Sequence, residues 1–206
     1  FNDRIKEYIY LDSADYSLPQ KNNGLLEVKE LIRANNHLEN VRVTGYFQDN
    51  YTYLNNSEDL FKVSFGVRGN YWSSGQKAVV SPRFTLAFVP NWKREINDTT
   101  SIKKNLTLRF STGLYYQPAF YREMRNIQGQ LNTDINAQKS IHFVLGADYD
   151  LRLWKRPFKL TGEAYYKLYD QLIPYEMENV RLRYYATNSA KGYARGADFK
   201  LNGEFV

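Results

Sequence analysis

The sequence has no cysteine, only two methionines and only two histidines in 206 residues. Without thiols there is no disulfide framework, no thiolate metal site and no cysteine nucleophile. The two histidines, His37 and His142, stand far apart in the chain, so a two-histidine metal centre is not expected. Neither GxxxxGK[ST] nor GxGxxG occurs, and no nucleophile-elbow motif supports a Ser-His-Asp site. Asp148 and Asp150 could form a paired-carboxylate site, but Arg152 beside them favours an ion-paired wall. Neither catalysis nor a cofactor is expected. A run of about 18 apolar residues is also missing, which excludes a transmembrane helix but not membrane-spanning strands.

What is abundant is aromatic and charged: 18 tyrosines, 24% charged residues and a formal net charge of +6. This composition excludes wholesale disorder. Basic groups interleaved with rings would suit a single-stranded nucleic-acid platform. The tyrosines, however, fall mostly at strand ends and in loops, and no nucleic-acid-binding motif is present, so nucleic acid is not an expected partner.

The dominant pattern has period two. From Ser140 to Leu153, Ile141, Phe143, Leu145, Ala147, Tyr149 and Leu151 alternate with His142, Val144, Gly146, Asp148, Asp150 and Arg152. Leu60 to Ser73 sets Phe61, Val63, Phe65, Val67 and Tyr71 against Lys62, Ser64, Gly66, Arg68 and Asn70. Further strands are predicted near 38–53, 79–89, 106–117, 158–168 and 195–206, with a weaker one near 3–12. Helical spacing occurs only at 25–34 (Leu25, Leu26, Val28, Leu31, Ile32), where a short loop helix is predicted.

The central apolar faces of these strands carry no Lys, Arg, Asp or Glu. A soluble sandwich would share that property, so strand length decides. The segments run to about 11–16 residues, against about 5–6 in soluble domains and about 9–11 for a tilted bilayer crossing. Connections alternate as well. Taking 54–59, 90–103 and 154–157 as periplasmic leaves 13–37, 74–78, 118–138 and 169–192 outside, three of them long. Trp92 and Trp154 suit one interfacial girdle, and Tyr71, Trp72 and Tyr116 the other. Pro82 inside a strand calls for a bulge or a strand end.

An ordered set of segments then resembles a known family. Gly45-Tyr46-Phe47-Gln48-Asp49, Phe65-Gly66-Val67-Arg68 and Ser81-Pro82-Arg83 come first. Gly113-Leu114-Tyr115-Tyr116-Gln117-Pro118 and Phe120-Tyr121-Arg122-Glu123 follow, then Gln138-Lys139-Ser140-Ile141-His142, Arg156-Pro157-Phe158 and Glu163-Ala164-Tyr165-Tyr166-Lys167. Asn179-Val180-Arg181 and Gly192-Tyr193-Ala194-Arg195-Gly196 close the series. Over about 38–206 the chain resembles the barrel of TonB-dependent outer-membrane receptors, in particular the Bacteroidota type with a carboxypeptidase-regulatory-like N-terminal domain.

The resemblance implies an antiparallel transmembrane β-barrel of 22 strands, to which residues 1–206 contribute about eight, without the plug. It also implies a plug domain in the same full-length protein, TonB engaged through a preceding N-terminal part, and outer-membrane lipid around the wall. A surface lipoprotein or larger envelope complex is a further partner. The cargo would be a nutrient such as a siderophore, glycan or peptide. Arg42, Lys62, Arg68, Arg83, Arg109, Asp148, Glu163 and Asp198 are then expected to face the lumen or plug, because Arg or Lys on the lipid side would cost about 2–4 kcal/mol at mid-depth. Gln117, Tyr121, Arg122, Tyr175, Arg181, Arg183 and Tyr185 are the ligand-binding candidates in the outer loops, since amphipathic rings and guanidinium forks make oriented contacts. The competing role for the loop residues is to pin the loops together. Two other readings are a barrel subunit of a secretion or biogenesis assembly, and a complete small eight-stranded barrel.

Overall fold

A computed structural model describes residues 2–3, 8–12, 30–57, 59–74, 77–96, 100–178 and 181–203 of the chain. All regular structure in them is β. Near the start come β1 (Asn2–Asp3), β2 (Tyr8–Asp12), β3 (Glu30–Ala34) and β4 (Leu38–Glu39). Then follow β5 (Arg42–Leu54), β6 (Leu60–Trp72), β7 (Lys77–Val89), β8 (Trp92–Ile96), β9 (Thr100–Gln117), β10 (Gln138–Leu153) and β11 (Arg156–Leu172). The hairpin β12 (Tyr175–Glu178) and β13 (Arg181–Tyr184) precedes β14 (Ala190–Gly203).

One sheet dominates. Its order is β14-β11-β10-β9-β7-β6-β5, every pair antiparallel, and β8 adds to it by pairing with the first part of β9. The seven path strands hold 13 to 18 residues each, far beyond the usual soluble strand. β5 and β14 are the two edges, so these residues form an open sheet rather than a closed cylinder.

Three expectations change. The opening segment does not join the sheet: Asn2–Asp3 pair with β4 and Tyr8–Asp12 with β3, so the eighth strand of the sheet is β8. The predicted helix is also absent where it can be seen, since Glu30–Ala34 is a strand in register with Tyr8–Asp12. A helix of about ten residues is marginal by itself, whereas the hairpin pairs the backbone groups of Glu30–Ala34 with Tyr8–Asp12. Residues 25–29 of that prediction lie outside the described residues. Finally, the stretch expected as a connection at 90–103 carries strand on both sides, with Trp92–Ile96 paired to Thr100–Lys104 as a continuation of the wall.

The register shows that the two faces run unbroken across all seven strands. Asp49, Phe65, Phe84, Thr112, Phe143, Tyr166 and Arg195 form one row on the apolar side. Among the described residues nothing covers that side: Leu145 is 61% and Phe199 81% exposed. The buried cluster lies elsewhere, among the loops, in Leu38, Met124, Ile135, Ile173 and Ala186. An uncovered apolar face of this extent needs a nonpolar solvent.

Charged Asp49 and Arg195 at the ends of that row follow from strand tilt. With strands about 4.8 Å apart and tilted about 40°, a level band moves by about one residue per strand. Six steps shift it by roughly six residues, and the apolar stretch moves accordingly, from Val43–Phe47 on β5 to Ala197–Leu201 on β14. Asp49 and Arg195 therefore fall near opposite rims of the band, each beside tyrosines (Tyr51 and Tyr193). Trp72 departs from its expected girdle position. It is 4% exposed and shares a register row with Arg42 and Lys77 on the polar side.

Candidate functional site

The polar face divides into two zones. Across its middle, Thr52, Lys62, Ala87, Arg109, Gly146, Glu163 and Asp198 form one register row. At and beyond this row, toward the short turns, acids and bases are mixed. Asp148 accepts hydrogen bonds from Arg109 Nη2 at 3.3 Å and Thr161 Oγ1 at 2.9 Å, with Lys159 Nζ 3.7 Å away. Its ion partners thus come from the neighbouring strands, not from Arg152 on its own. The geometry is the reason: Arg109 and Lys159 are diagonal cross-strand neighbours of Asp148, closer than i,i+4 along one strand.

Toward the long loops the same face carries Arg42, Arg68, Arg83, His142 and Lys167, and no strand position among the described residues supplies a carboxylate. Arg83 is flanked in register by Gly66 on β6 and Gly113 on β9. The missing side chain of Gly113 lets the Tyr115 ring lie flat along the wall, where a Cβ on residue 113 would meet it at 2.9 Å. The ring then takes Arg83 over its face, 4.7 Å from the centroid, and packs on His142 at 4.5 Å.

Pro82 shapes the same region. Between β7 and β9 the ladder runs from Phe88↔Leu108 to Arg83↔Gly113 and stops there, whereas β6 stays paired with β7 out to Lys77. Proline has no N–H to continue a ladder. The seam above it opens into a cavity of about 240 Å³ lined by Arg42, Arg68, Ser81, Arg83, Tyr115 and Gln117.

The loops close over this end as one body. Asn188 accepts from the Asn136 amide at 2.6 Å and donates through Nδ2 to the carbonyls of Asn136 and Gln171. Asn132 donates to the Ala186 carbonyl, and Lys77 Nζ to the Asp134 and Ile135 carbonyls. β3 reaches the same cap: Asn36 donates to the Gly129 carbonyl at 2.7 Å, and Gly129 adopts φ 81° against Ile32. A second, smaller cavity lies here, bordered by Ile32, Arg122, Arg125, Ile127, Arg183 and Tyr184.

A family model described as TonB dependent receptor-like, beta-barrel, matches residues 3–206. The chain belongs to the TonB-dependent receptor β-barrel family. Comparison with curated proteins and with solved structures finds no match. Membership makes this an outer-membrane protein and part of a transport receptor whose family works with a plug domain and TonB.

In this receptor the loop candidates separate by what they touch. Tyr121 packs against the buried loop cluster. Arg183 donates to the Ile127 carbonyl at 3.5 Å and lies 4.0 Å from Glu176. Tyr185 donates to Glu176 at 2.9 Å, and that carboxylate raises the phenol above its ordinary pKa. Tyr175 is exposed beside the Tyr184 ring, Arg122 borders the loop cavity, and Gln117 borders the wall cavity with Arg42, Arg68 and Arg83. The side chain of Arg181 lies outside the described residues. Sequence reasoning passed over Tyr115, the flanking glycines and the asparagines that join the loops. The available signal was the alternation itself, which sets Gly66 and Gly113 on the polar face with Arg68 and Arg83.

Proposed function

We propose that the receptor imports a nutrient that binds at the loop end of this wall, with Gln117–Gln138 and Asp170–Gly192 supplying part of the site. The observation that carries this reading is the joining of both loops into one hydrogen-bonded cap above a polar cavity. A preorganised rim binds without first losing the entropy of loose loops. Arg122, Tyr175 and Gln117 are the candidates that face cargo, whereas Tyr121, Arg183 and Tyr185 hold the cap. Lys62, Arg109, Asp148, Glu163 and Asp198 dock the plug or line water, and outer-membrane lipid covers the opposite face.

Transport proceeds without covalent chemistry on the cargo, and energy reaches the plug of the full-length protein through TonB. The ordered segments from Gly45 to Gly196 further support the Bacteroidota subtype, for which a surface lipoprotein is the fitting outer partner. The test is uptake by cells expressing the full-length receptor, with and without TonB. Ligand-stimulated uptake should vanish in the TonB-deficient strain; unchanged uptake there would refute the reading.

A further inference from the structure

The three arginines of the wall cavity have no use inside the wall itself. Arg42 and Arg68 have neither an ion pair nor a hydrogen bond among the described residues, and Arg83 is engaged only through its face, by Tyr115. Nearer the short turns Arg109 and Lys159 share Asp148, whereas Lys62, Arg152 and Lys200 on the same face have no ion pair among the described residues and line no such cavity. Arg68 and Arg83 are diagonal neighbours across β6 and β7, where like charges repel. Gly66 and Gly113, paired in register with Arg83, place no side chain beside it, and the β7–β9 ladder ends at that pair. The Tyr115 contact, with Cζ 4.7 Å from the ring centroid, occupies none of the N–H donors of Arg83 in a hydrogen bond to an oxygen.

We propose that this cavity holds an oxyanion, a carboxylate or phosphate group of the imported cargo, gripped by the guanidinium groups of Arg68 and Arg83 with Arg42 at the rim. The proposal rests on the import reading and adds the chemical class of the cargo. Guanidinium forks match the planar geometry of carboxylate and the oxygens of phosphate, and two forks on one anion relieve their mutual repulsion. Position favours cargo over a plug carboxylate as the source. The cavity adjoins Gln117 and lies under the loop that Lys77 tethers, whereas the mixed-charge zone that would meet the plug is farther from the loops.

The test uses the full-length receptor, plug included, purified in detergent. Citrate and inorganic phosphate are titrated calorimetrically against a chloride buffer of equal ionic strength. Wild type should bind at least one of them, and Arg68→Gln/Arg83→Gln should weaken that binding at least tenfold. Lys62→Gln, on the same face in the mixed zone, should leave it within about twofold. Arg68→Gln alone, at an exposed position, is the second variant should the pair fail to assemble, with a loss of about fivefold or more expected.

No binding by wild type, or equal binding by the variants, overturns the proposal. Faster proteolysis of the plug in the double variant, with anion affinity unchanged, assigns the arginines to the plug and overturns it as well. Uptake that ignores TonB refutes the import reading independently of the calorimetry.

Discussion

At the residue scale, glycine acts here through absence. Tyr165 lies across Gly196 and Phe199 beside Gly162, each large ring filling the place where the paired residue on the next strand has no side chain. Tyr115 over Gly113 is the case with a functional consequence, because the ring positions Arg83. Gly113→Val should force the ring off the wall and destabilise the receptor by about 1–3 kcal/mol, read as a lower unfolding temperature of the full-length protein. The Tyr185–Glu176 bond makes a pH prediction. Because the phenol's pKa is raised in the folded state, its contribution is complete below the ordinary tyrosine value and is lost as pH climbs through the raised one. Ultraviolet titration should show a late-ionising tyrosine component, and Glu176→Gln should reduce it by the share that belongs to Tyr185.

At the element scale, turns and loops decide how well the wall is ended. Between β10 and β11 the two-residue turn Trp154–Lys155 has φ of 49° and 63°, the left-handed pair of a tight hairpin, without glycine or asparagine to ease it. Trp154 is 77% exposed and meets Phe158 edge-on, which suits an anchor at the membrane surface. Lys155→Gly should therefore stabilise the hairpin by about 1 kcal/mol, measured by chemical denaturation of the refolded receptor. At the other end, Asn188→Ala removes three hydrogen bonds, two of which join the two long loops. A cost of about 2–4 kcal/mol is expected locally, visible as faster amide exchange in residues 132–137 while the strands stay protected.

For the whole molecule, the sidedness of the sheet is the decisive property. Spin labels at Phe65, Leu108 and Phe143 should be reached by oxygen dissolved in bilayer lipid and shielded from polar quenchers, with labels at Arg68 and Arg109 showing the reverse. Equal access to both sets would mean that the uncovered face is not the lipid face. The slope of the apolar band makes this sharper. Asp49 and Arg195 share a register row with Phe143, yet labels there should report the membrane rims.

Alternation alone determined that long antiparallel strands present one apolar and one charged face, because side chains reverse at every residue whatever the strand's neighbours. Lys62, Arg68, Arg83, Arg109, Glu163 and Asp198 could be assigned to a common face on that ground. Only the tertiary structure decided which charges meet, since Asp148 finds Arg109 and Lys159 through register between strands, and register is not written in any one of them. It likewise turned Glu30–Ala34 from an apparent helix into a strand by supplying Tyr8–Asp12 as its partner. The cavity at Arg83 is the fullest instance. Gly66 and Gly113 are distant in sequence and meet at Arg83 in one row of cross-strand pairs, with Pro82 in the row beside it.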